Sequence, residues 1–238
     1  MIVTLPIANN KGSITLNPTK IIALGLNYRE HIAESQSVSV KGFDQAIPSE
    51  PVLFCKTPNA LLPPGEPIVL PAIVKGYNFA DPRTDYEGEL AFVIKKRCKN
   101  IEPKDAYQFI LGFTCLNDVS QRNIQNGDRS GWFRGKSFDT FAPVGPVVVL
   151  TEDLKNPMDL SIRTRLNGKT VQDSRTSAMI FSIPELLSFI SRNMTLEEGD
   201  VVSTGTPSGV GAIKQGDVVE VEIEGIGVLR NPVREEDA

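Results

Sequence analysis

Short apolar runs and period-two alternation dominate the chain. Residues 159–166 alternate with Leu160, Ile162, Thr164 and Leu166 on one face, as expected of a half-buried strand. Asn167-Gly168 follows, a pair typical of two-residue hairpin turns, so residues 170–174 are predicted to return antiparallel. The other predicted strands are 20–25, 52–56, 67–71, 85–96, 109–117, 143–150 and 217–224.

Few segments have helical periodicity. In residues 183–193 the apolar side chains fall at i, i+3, i+4 and i+7, and Ser182 with Glu185 gives a capping-box pattern. Residues 119–126 suit a short helix, and residues 35–50 form a predicted polar loop. Many strands without regular βα alternation predict an α+β, strand-rich, largely antiparallel fold in one domain.

Composition narrows the class of protein. The chain has 238 residues with a net charge of −4, which disfavours nucleic-acid binding. No apolar run approaches a membrane span, and the N-terminus lacks a signal-peptide pattern. Cys55, Cys98 and Cys115 stand in strand-like stretches without a CxxC motif, so we expect three reduced, buried thiols in a cytoplasmic protein.

An acidic alternation is the strongest local signal of chemistry. Asp85, Glu87 and Glu89 would share one face of a strand. Three like charges repel one another there unless the face holds a hard cation such as Mg²⁺, which prefers oxygen ligands. A solvated acidic face on an edge strand is the alternative.

A second polar group follows the strand at 109–117. Asp118 stands where it could cap a helix or bind a metal. If a helix begins there, Arg122 and Gln125 lie on its face at i+4 and i+7. A guanidinium beside a metal suits a ligand that carries a carboxylate.

Two further segments hold catalytic side-chain types. His31 is the chain's single histidine, and Glu34 lies one helical turn away, as in a general-base pair; an ordinary surface salt bridge is the alternative. Lys136 follows a glycine between aromatic residues and is either a solvated lysine or an oxyanion donor. The loop 205–211 is glycine-rich but lacks the phosphate-loop ending.

Taken together, these segments resemble the fumarylacetoacetate hydrolase family from about residue 20 to residue 232. The ordered motifs are NYREHIAE, DYEGELA, NDVSQRNIQ, WFRGKSFDTFAPVGP, NGKTVQDSRTSAMIFSIPELLSFIS and GDVVSTGTPSGVG. The resemblance implies a mixed β-roll fold, a homodimer and a Mg²⁺ or Mn²⁺ ion. It divides the chain into a strand segment at 1–19, a catalytic domain at 20–232 and a frayed acidic tail at 233–238. The short N-terminus resembles the single-domain branch of acylpyruvate hydrolases and oxaloacetate decarboxylases.

The same resemblance implies roles for individual residues. Glu87, Glu89 and Asp118 would bind the metal, with Asp85 as a neighbour; His31 and Glu34 would activate water; Lys136 would stabilise an oxyanion; and Arg122, Gln125 and Thr206 would line the substrate site.

The implied reaction is metal-dependent hydrolysis of a C–C bond in an acylpyruvate-type 2,4-dioxo acid, decarboxylation of oxaloacetate, or both. The alternative is isomerisation or tautomerisation of a 2-hydroxy-diene-dioate or of oxaloacetate. A non-catalytic binding protein on the same scaffold is disfavoured, because base, ligands and oxyanion donor are all present.

Overall fold

The computed structural model describes residues 2–34, 47–127 and 132–237, with only the backbone of residues 32–34. Within these ranges the strands are β1 Val3–Pro6, β2 Ser13–Leu16, β3 Ile21–Gly25, β4 Val52–Lys56, β5 Leu61–Leu62, β6 Ile68–Leu70, β7 Thr84–Tyr86, β8 Gly88–Ile94, β9 Ile110–Asn117, β10 Ser120–Gln121, β11 Ala142–Leu150, β12 Ser161–Leu166, β13 Lys169–Arg175, β14 Val201–Ser203, β15 Gly211–Ala212, β16 Val218–Ile223 and β17 Gly227–Glu235. The α-helices are α1 Arg29–Glu34, α2 Arg122–Gly127, α3 Phe133–Lys136 and α4 Ile183–Asn193.

A mixed seven-stranded sheet forms the centre of the fold, in the order β4-β3-β14-β8-β9-β11-β5. Its pairs are antiparallel except β14 with β3 and β11 with β5. Beside it lies a five-stranded sheet, β13-β12-β16-β17-β6, and the predicted hairpin joins β12 to β13. The strand-rich α+β prediction is therefore confirmed.

Two apolar clusters lie on opposite faces of the central sheet. Leu90 and Phe92 of β8 belong to the first cluster, which α4 covers with Leu186 and Ile190. Ala91 and Val93, the intervening residues of the same strand, belong to the second. Because both faces are covered, β8 is buried along its whole length, so it gives the acidic residues at its start a rigid support.

Helix α4 forms as its sequence predicts. Ser182 Oγ accepts a hydrogen bond from the backbone N–H of Glu185, and the Glu185 carboxylate accepts one from the Ser182 N–H at 2.7 Å. None of the described helices has the length and apolar character needed to cross a membrane.

Several local predictions need correction. The strand predicted at 85–96 is divided at Glu87 into β7 and β8, and the helix predicted from residue 119 begins only at Arg122. Cys55 is exposed, whereas Cys98 and Cys115 are buried. Strand β17 extends through Glu235, beyond the predicted start of a frayed tail at residue 233. Of the predicted loop at 35–50, residues 35–46 lie outside the described ranges.

Candidate active site

The break between β7 and β8 brings two acidic segments together. The Glu87 N–H donates to Asn117 Oδ1 at 2.9 Å, and the Asp118 N–H donates to the Glu87 carbonyl at 2.8 Å. These bonds join the turn after β9 to the residue that separates β7 from β8. As a result, Asp118 lies beside Glu87 although 31 positions separate them in the sequence.

Glu87, Glu89 and Asp118 form a buried carboxylate triad. One oxygen from each lies within 4.8 Å of the others, and all three residues are buried. Asp85 is not part of this triad: its carboxylate accepts hydrogen bonds from Arg83 Nε at 2.7 Å and Arg122 Nε at 2.8 Å. The triad therefore consists of the three residues that the family resemblance implies. Alternation along the strand had grouped Asp85, instead of Asp118, with Glu87 and Glu89.

Buried cations surround two of the three carboxylates. Lys136 Nζ donates to Glu87 Oε2 at 2.6 Å and to Asp118 Oδ2 at 2.5 Å. Lys56 Nζ donates to the other Asp118 oxygen, Oδ1, at 2.6 Å. Arg122 Nη2 donates to Glu87 Oε1. Each of these two carboxylates thus has both oxygens in contact with positive charge.

Burial and neighbouring charges have opposite effects on the pKa of Glu87 but the same effect on the pKa of Glu89. Burial favours the neutral form of Glu87, but the charges of Arg122 and Lys136 outweigh it and lower the pKa of Glu87. Burial raises the pKa of Glu89 well above its ordinary value, and the neighbouring charges of Asp118 and Glu87 raise it further. Glu89 is therefore the triad member whose negative charge is least stabilised by neighbouring positive charges.

Neutral donors hold Glu89. Its Oε2 accepts hydrogen bonds from Ser203 Oγ at 2.5 Å and from the Gly205 N–H at 2.8 Å. Gly205 has a φ of +92°, and a Cβ there would lie 2.9 Å from the Asn27 Cβ. Glycine is thus needed for the turn that directs this N–H to Glu89. The glycine-rich loop therefore binds the side-chain carboxyl group of Glu89.

A cleft with a cavity volume of about 20 Å³ lies over the triad. Phe54 and Trp132 form one wall, with ring centroids 5.2 Å apart. The lining residues are Leu24, Gly25, Leu26, His31, Phe54, Glu87, Glu89, Arg122, Gln125, Trp132, Lys136 and Thr206. A cavity of this volume holds about one water molecule, so the described side chains pack closely over the triad.

The cleft contains seven of the nine site residues that the sequence singles out: His31, Glu87, Glu89, Arg122, Gln125, Lys136 and Thr206. Asp118 lies behind them, in contact with Lys136. The Glu34 side chain lies outside the described part of the chain, so its pairing with His31 stays a prediction.

All three predicted substrate residues, Arg122, Gln125 and Thr206, already bind protein groups. Arg122 holds Asp85, Glu87 and, through Nη1, Gln125 Oε1 at 2.9 Å. Its guanidinium organises the acidic cluster, whereas the sequence suggested a pairing with a substrate carboxylate. The Thr206 hydroxyl donates to the Gly88 carbonyl at 2.9 Å and accepts from Gln172 Nε2 at 2.8 Å.

Sequence reasoning missed Lys56, Gln172 and Ser203. Lys56 ends the apolar strand β4 on the same face as Phe54, and a lone lysine on an apolar face was a usable signal. Gln172 also accepts a hydrogen bond from the Gly88 N–H at 3.0 Å, so it links the triad strand to the loop that carries Thr206. Nothing local to Gln172 or Ser203 marks these roles.

The donor set suits a hard divalent cation. All three triad groups are carboxylates, the ligands that Mg²⁺ and Mn²⁺ prefer. Lys136 Nζ contacts Glu87 Oε2 and Asp118 Oδ2 at the same time, so these two oxygens already converge on one cation. The residues therefore fit the ion that the family resemblance implies.

Comparisons with known proteins show which proteins this chain is similar to. Residues 20–234 match the family described as Fumarylacetoacetate (FAA) hydrolase C-terminal. Oxaloacetate tautomerase YisK of Bacillus subtilis is 40% identical over 224 residues, covering 91% of this chain and 70% of that protein.

Two solved structures extend the comparison. The 5-carboxymethyl-2-hydroxymuconate delta-isomerase of Mycobacterium smegmatis has a TM-score of 0.80 at 43% identity, covering 94% of this chain and 81% of its own. The fumarylpyruvate hydrolase of Pseudomonas aeruginosa, in complex with Mn²⁺ and pyruvate, has a TM-score of 0.83 at 30% identity, covering 99% and 97%. These neighbours confirm the predicted fold class, and the chain belongs to the fumarylacetoacetate hydrolase family of enzymes.

Proposed function

We propose that this protein is a divalent-metal-dependent enzyme that moves a proton on a small 2-oxo acid, with oxaloacetate tautomerisation as its reaction. The observation that carries the proposal is the convergence of two triad carboxylates, an imidazole and an ammonium on one cleft, with the third carboxylate, Asp118, directly behind them. The names of the relatives support proton transfer, because the tautomerase and the isomerase are 40% and 43% identical to this chain, against 30% for the hydrolase.

Glu87, Glu89 and Asp118 would each hold Mg²⁺ or Mn²⁺ through one carboxylate oxygen. When bound, the ion supplies Lewis-acid polarisation of the 2-keto oxygen, which makes the protons on C3 more acidic. The protein must then provide a base for the C3 proton and a donor for the oxygen that gains negative charge.

His31 is the candidate base. It is buried on α1 and lines the same cleft as Glu87 and Glu89. Imidazole serves most often as a general base because it exchanges protons near neutral pH. In the proposed step His31 takes a proton from C3, and the C2–C3 double bond forms as the π bond of the C2 carbonyl opens. The protonated imidazole then returns a proton, directly or through water, to the C2 oxygen to give the enol.

Lys136 is the candidate electrostatic partner of that oxygen. Its ammonium is buried, lines the cleft and is held by Glu87 and Asp118. Burial opposes its charge, but Asp118 and Glu87 outweigh burial and raise the pKa of Lys136. A fixed cation in a site that excludes water stabilises developing negative charge without reorganisation.

Hydrolysis of a C–C bond in an acylpyruvate is the second candidate. It is favoured by the fumarylpyruvate hydrolase, which matches this chain over nearly the full length of both proteins. His31, with Glu34 as its predicted partner, would take a proton from water, and the hydroxide would attack the distal carbonyl. Decarboxylation of oxaloacetate would need the same metal site without water attack.

A substrate panel separates these reactions. We would follow enol-to-keto conversion of oxaloacetate by ultraviolet absorbance, pyruvate and carbon dioxide release from oxaloacetate, and pyruvate release from acetylpyruvate. We expect enol–keto conversion to be fastest, to stop with EDTA and to return with Mn²⁺. Fast pyruvate release from acetylpyruvate with slow enol conversion would assign the hydrolase instead, and no turnover in any assay with Mn²⁺ would refute the proposal.

One pair of variants tests the base. His31→Ala should lower turnover by about 10²–10⁴-fold, the usual contribution of a general base, with little change in Mn²⁺ affinity measured by calorimetry. Lys169→Ala, at an exposed position of the β12–β13 hairpin, is the control and should keep wild-type turnover. Wild-type turnover of His31→Ala would remove His31 from the mechanism.

A further inference from the structure

In each triad carboxylate, a protein group other than Lys136 already binds one of the two oxygens. We call this oxygen the outward oxygen and the other one the inward oxygen. Arg122 holds Glu87 Oε1, and Ser203 with the Gly205 N–H holds Glu89 Oε2. For Asp118 the outward oxygen is Oδ1, which Lys56 holds at 2.6 Å. The inward oxygens of Glu87 and Asp118 are those that meet at Lys136.

Lys56 is fixed behind the triad, away from the cleft. Its side chain is 0% exposed and does not line the cleft. It also donates to the Val119 carbonyl at 3.2 Å, so two acceptors one residue apart determine where its Nζ lies. Lys56 therefore acts on Asp118 and does not reach a substrate in the cleft.

We propose that Lys56 selects the metal ion, by holding Asp118 Oδ1 behind the triad. The ion would then bind Asp118 through Oδ2 alone, an oxygen that it would share with Lys136. Mg²⁺ and Mn²⁺ accept six ligands in a compact octahedron and are satisfied by one oxygen per carboxylate. Ca²⁺ takes six to eight oxygens at longer distances and gains from a carboxylate that binds through both. With Oδ1 held by Lys56, the site disfavours the larger ion.

The inference rests on the proposed metal site, and its test uses a ratio of affinities. Removing Lys56 also removes a positive charge, which strengthens the attraction for every divalent cation. Mn²⁺ and Ca²⁺ carry the same charge, so this effect is shared by both ions and cancels in the ratio of their dissociation constants. A change in the ratio therefore reports the freed Asp118 oxygen.

The experiment is calorimetric titration of the full chain with Mn²⁺ and, separately, with Ca²⁺. In Lys56→Met the ratio Kd(Ca²⁺)/Kd(Mn²⁺) should fall by about 10-fold or more, the scale on which groups behind the ligands change metal affinity. Lys56→Leu, which is shorter and also lacks a donor, should give the same fall if the methionine variant does not fold. The control is Lys20→Met, which removes a lysine from another 2.6 Å pair with a buried aspartate, Asp200, and should keep the wild-type ratio.

The outcomes are distinct. An unchanged ratio in both Lys56 variants, with normal Mn²⁺ binding by the wild-type chain, would overturn this inference and leave the proposed function standing. Absence of Mn²⁺ binding by the wild-type chain would overturn the metal site and this inference together.

Discussion

Gly88 separates two of the triad carboxylates and leaves no room for a side chain. An ideal Cβ on Gly88 would lie 2.1 Å from Thr164 Oγ1, 3.2 Å from Gln172 Oε1 and 3.3 Å from Val221 Cγ1. The first separation is 1.3 Å short of the 3.4 Å at which ordinary contact begins. Gly88→Ala must therefore move β8 away from β12 or displace the Thr164 side chain.

Thr164 has little freedom to yield, because it is fully buried on β12. Overpacking of this kind costs about 1–3 kcal/mol of unfolding free energy. The displacement also exceeds the tolerance of about 0.2 Å on metal–ligand distances, so Mn²⁺ affinity should fall by more than about 10-fold. Urea denaturation and calorimetry measure these two effects separately.

Two further variants check the cause. Gly76→Ala is the matched control, because a Cβ there meets nothing within 4 Å; its stability and Mn²⁺ affinity should be those of the wild type. The double variant Gly88→Ala/Thr164→Ala removes the clashing oxygen, which has no hydrogen-bond partner among the described residues, and should recover most of the Mn²⁺ affinity. If Gly88→Ala behaved like Gly76→Ala in both assays, the steric argument would be wrong.

Three other predictions concern a triad carboxylate, the glutamine that supports the triad strand, and a buried aspartate outside the site. Loss of a group that supports a metal ligand weakens metal binding by about 10–100-fold, and Asp118→Asn should weaken Mn²⁺ binding by more than this. Wild-type affinity by calorimetry would exclude Asp118 as a ligand. Gln172→Leu should lower stability by about 1–3 kcal/mol because the Gly88 N–H and the Pro207 carbonyl lose their buried partner; an unchanged urea midpoint would contradict this. Burial opposes ionisation of Asp200, but hydrogen bonds from Lys20, the Glu197 N–H and Thr19 outweigh it and lower the pKa of Asp200. Its contribution to stability is therefore complete above the unfolded-state pKa of about 3.9 and is lost as the pH falls below it, so Asp200→Asn should flatten the acid limb of a plot of unfolding free energy against pH.

Features set by neighbours in sequence could be predicted from it. The Asn167-Gly168 turn and the Ser182–Glu185 capping box need only residues a few positions apart, and both form as expected. The triad residues were identified because each lies in an ordered motif shared with a known family.

Features set by distant segments could not be predicted in the same way. Lys56 reaches Asp118 across 62 positions, and Gln172 reaches Thr206 across 34. The break between β7 and β8 at Glu87 also has a non-local cause. The backbone of Glu87 forms hydrogen bonds with Asn117, the last residue of β9, and with Asp118, which follows it. Alternation of polar and apolar residues predicted an unbroken strand, because such a pattern carries no information about the hydrogen bonds between Glu87 and the turn after β9.

The distribution of partners around the triad explains why a site with this much buried charge is compatible with folding. An unpaired buried charge costs several kcal/mol, and the chain meets this cost at Glu87 with Arg122 and Lys136 and at Asp118 with Lys56 and Lys136. Glu89 receives its described hydrogen bonds from neutral donors. The remaining deficit of positive charge is therefore concentrated on one carboxylate that faces the cleft, where a divalent cation shared with the other two would relieve it most.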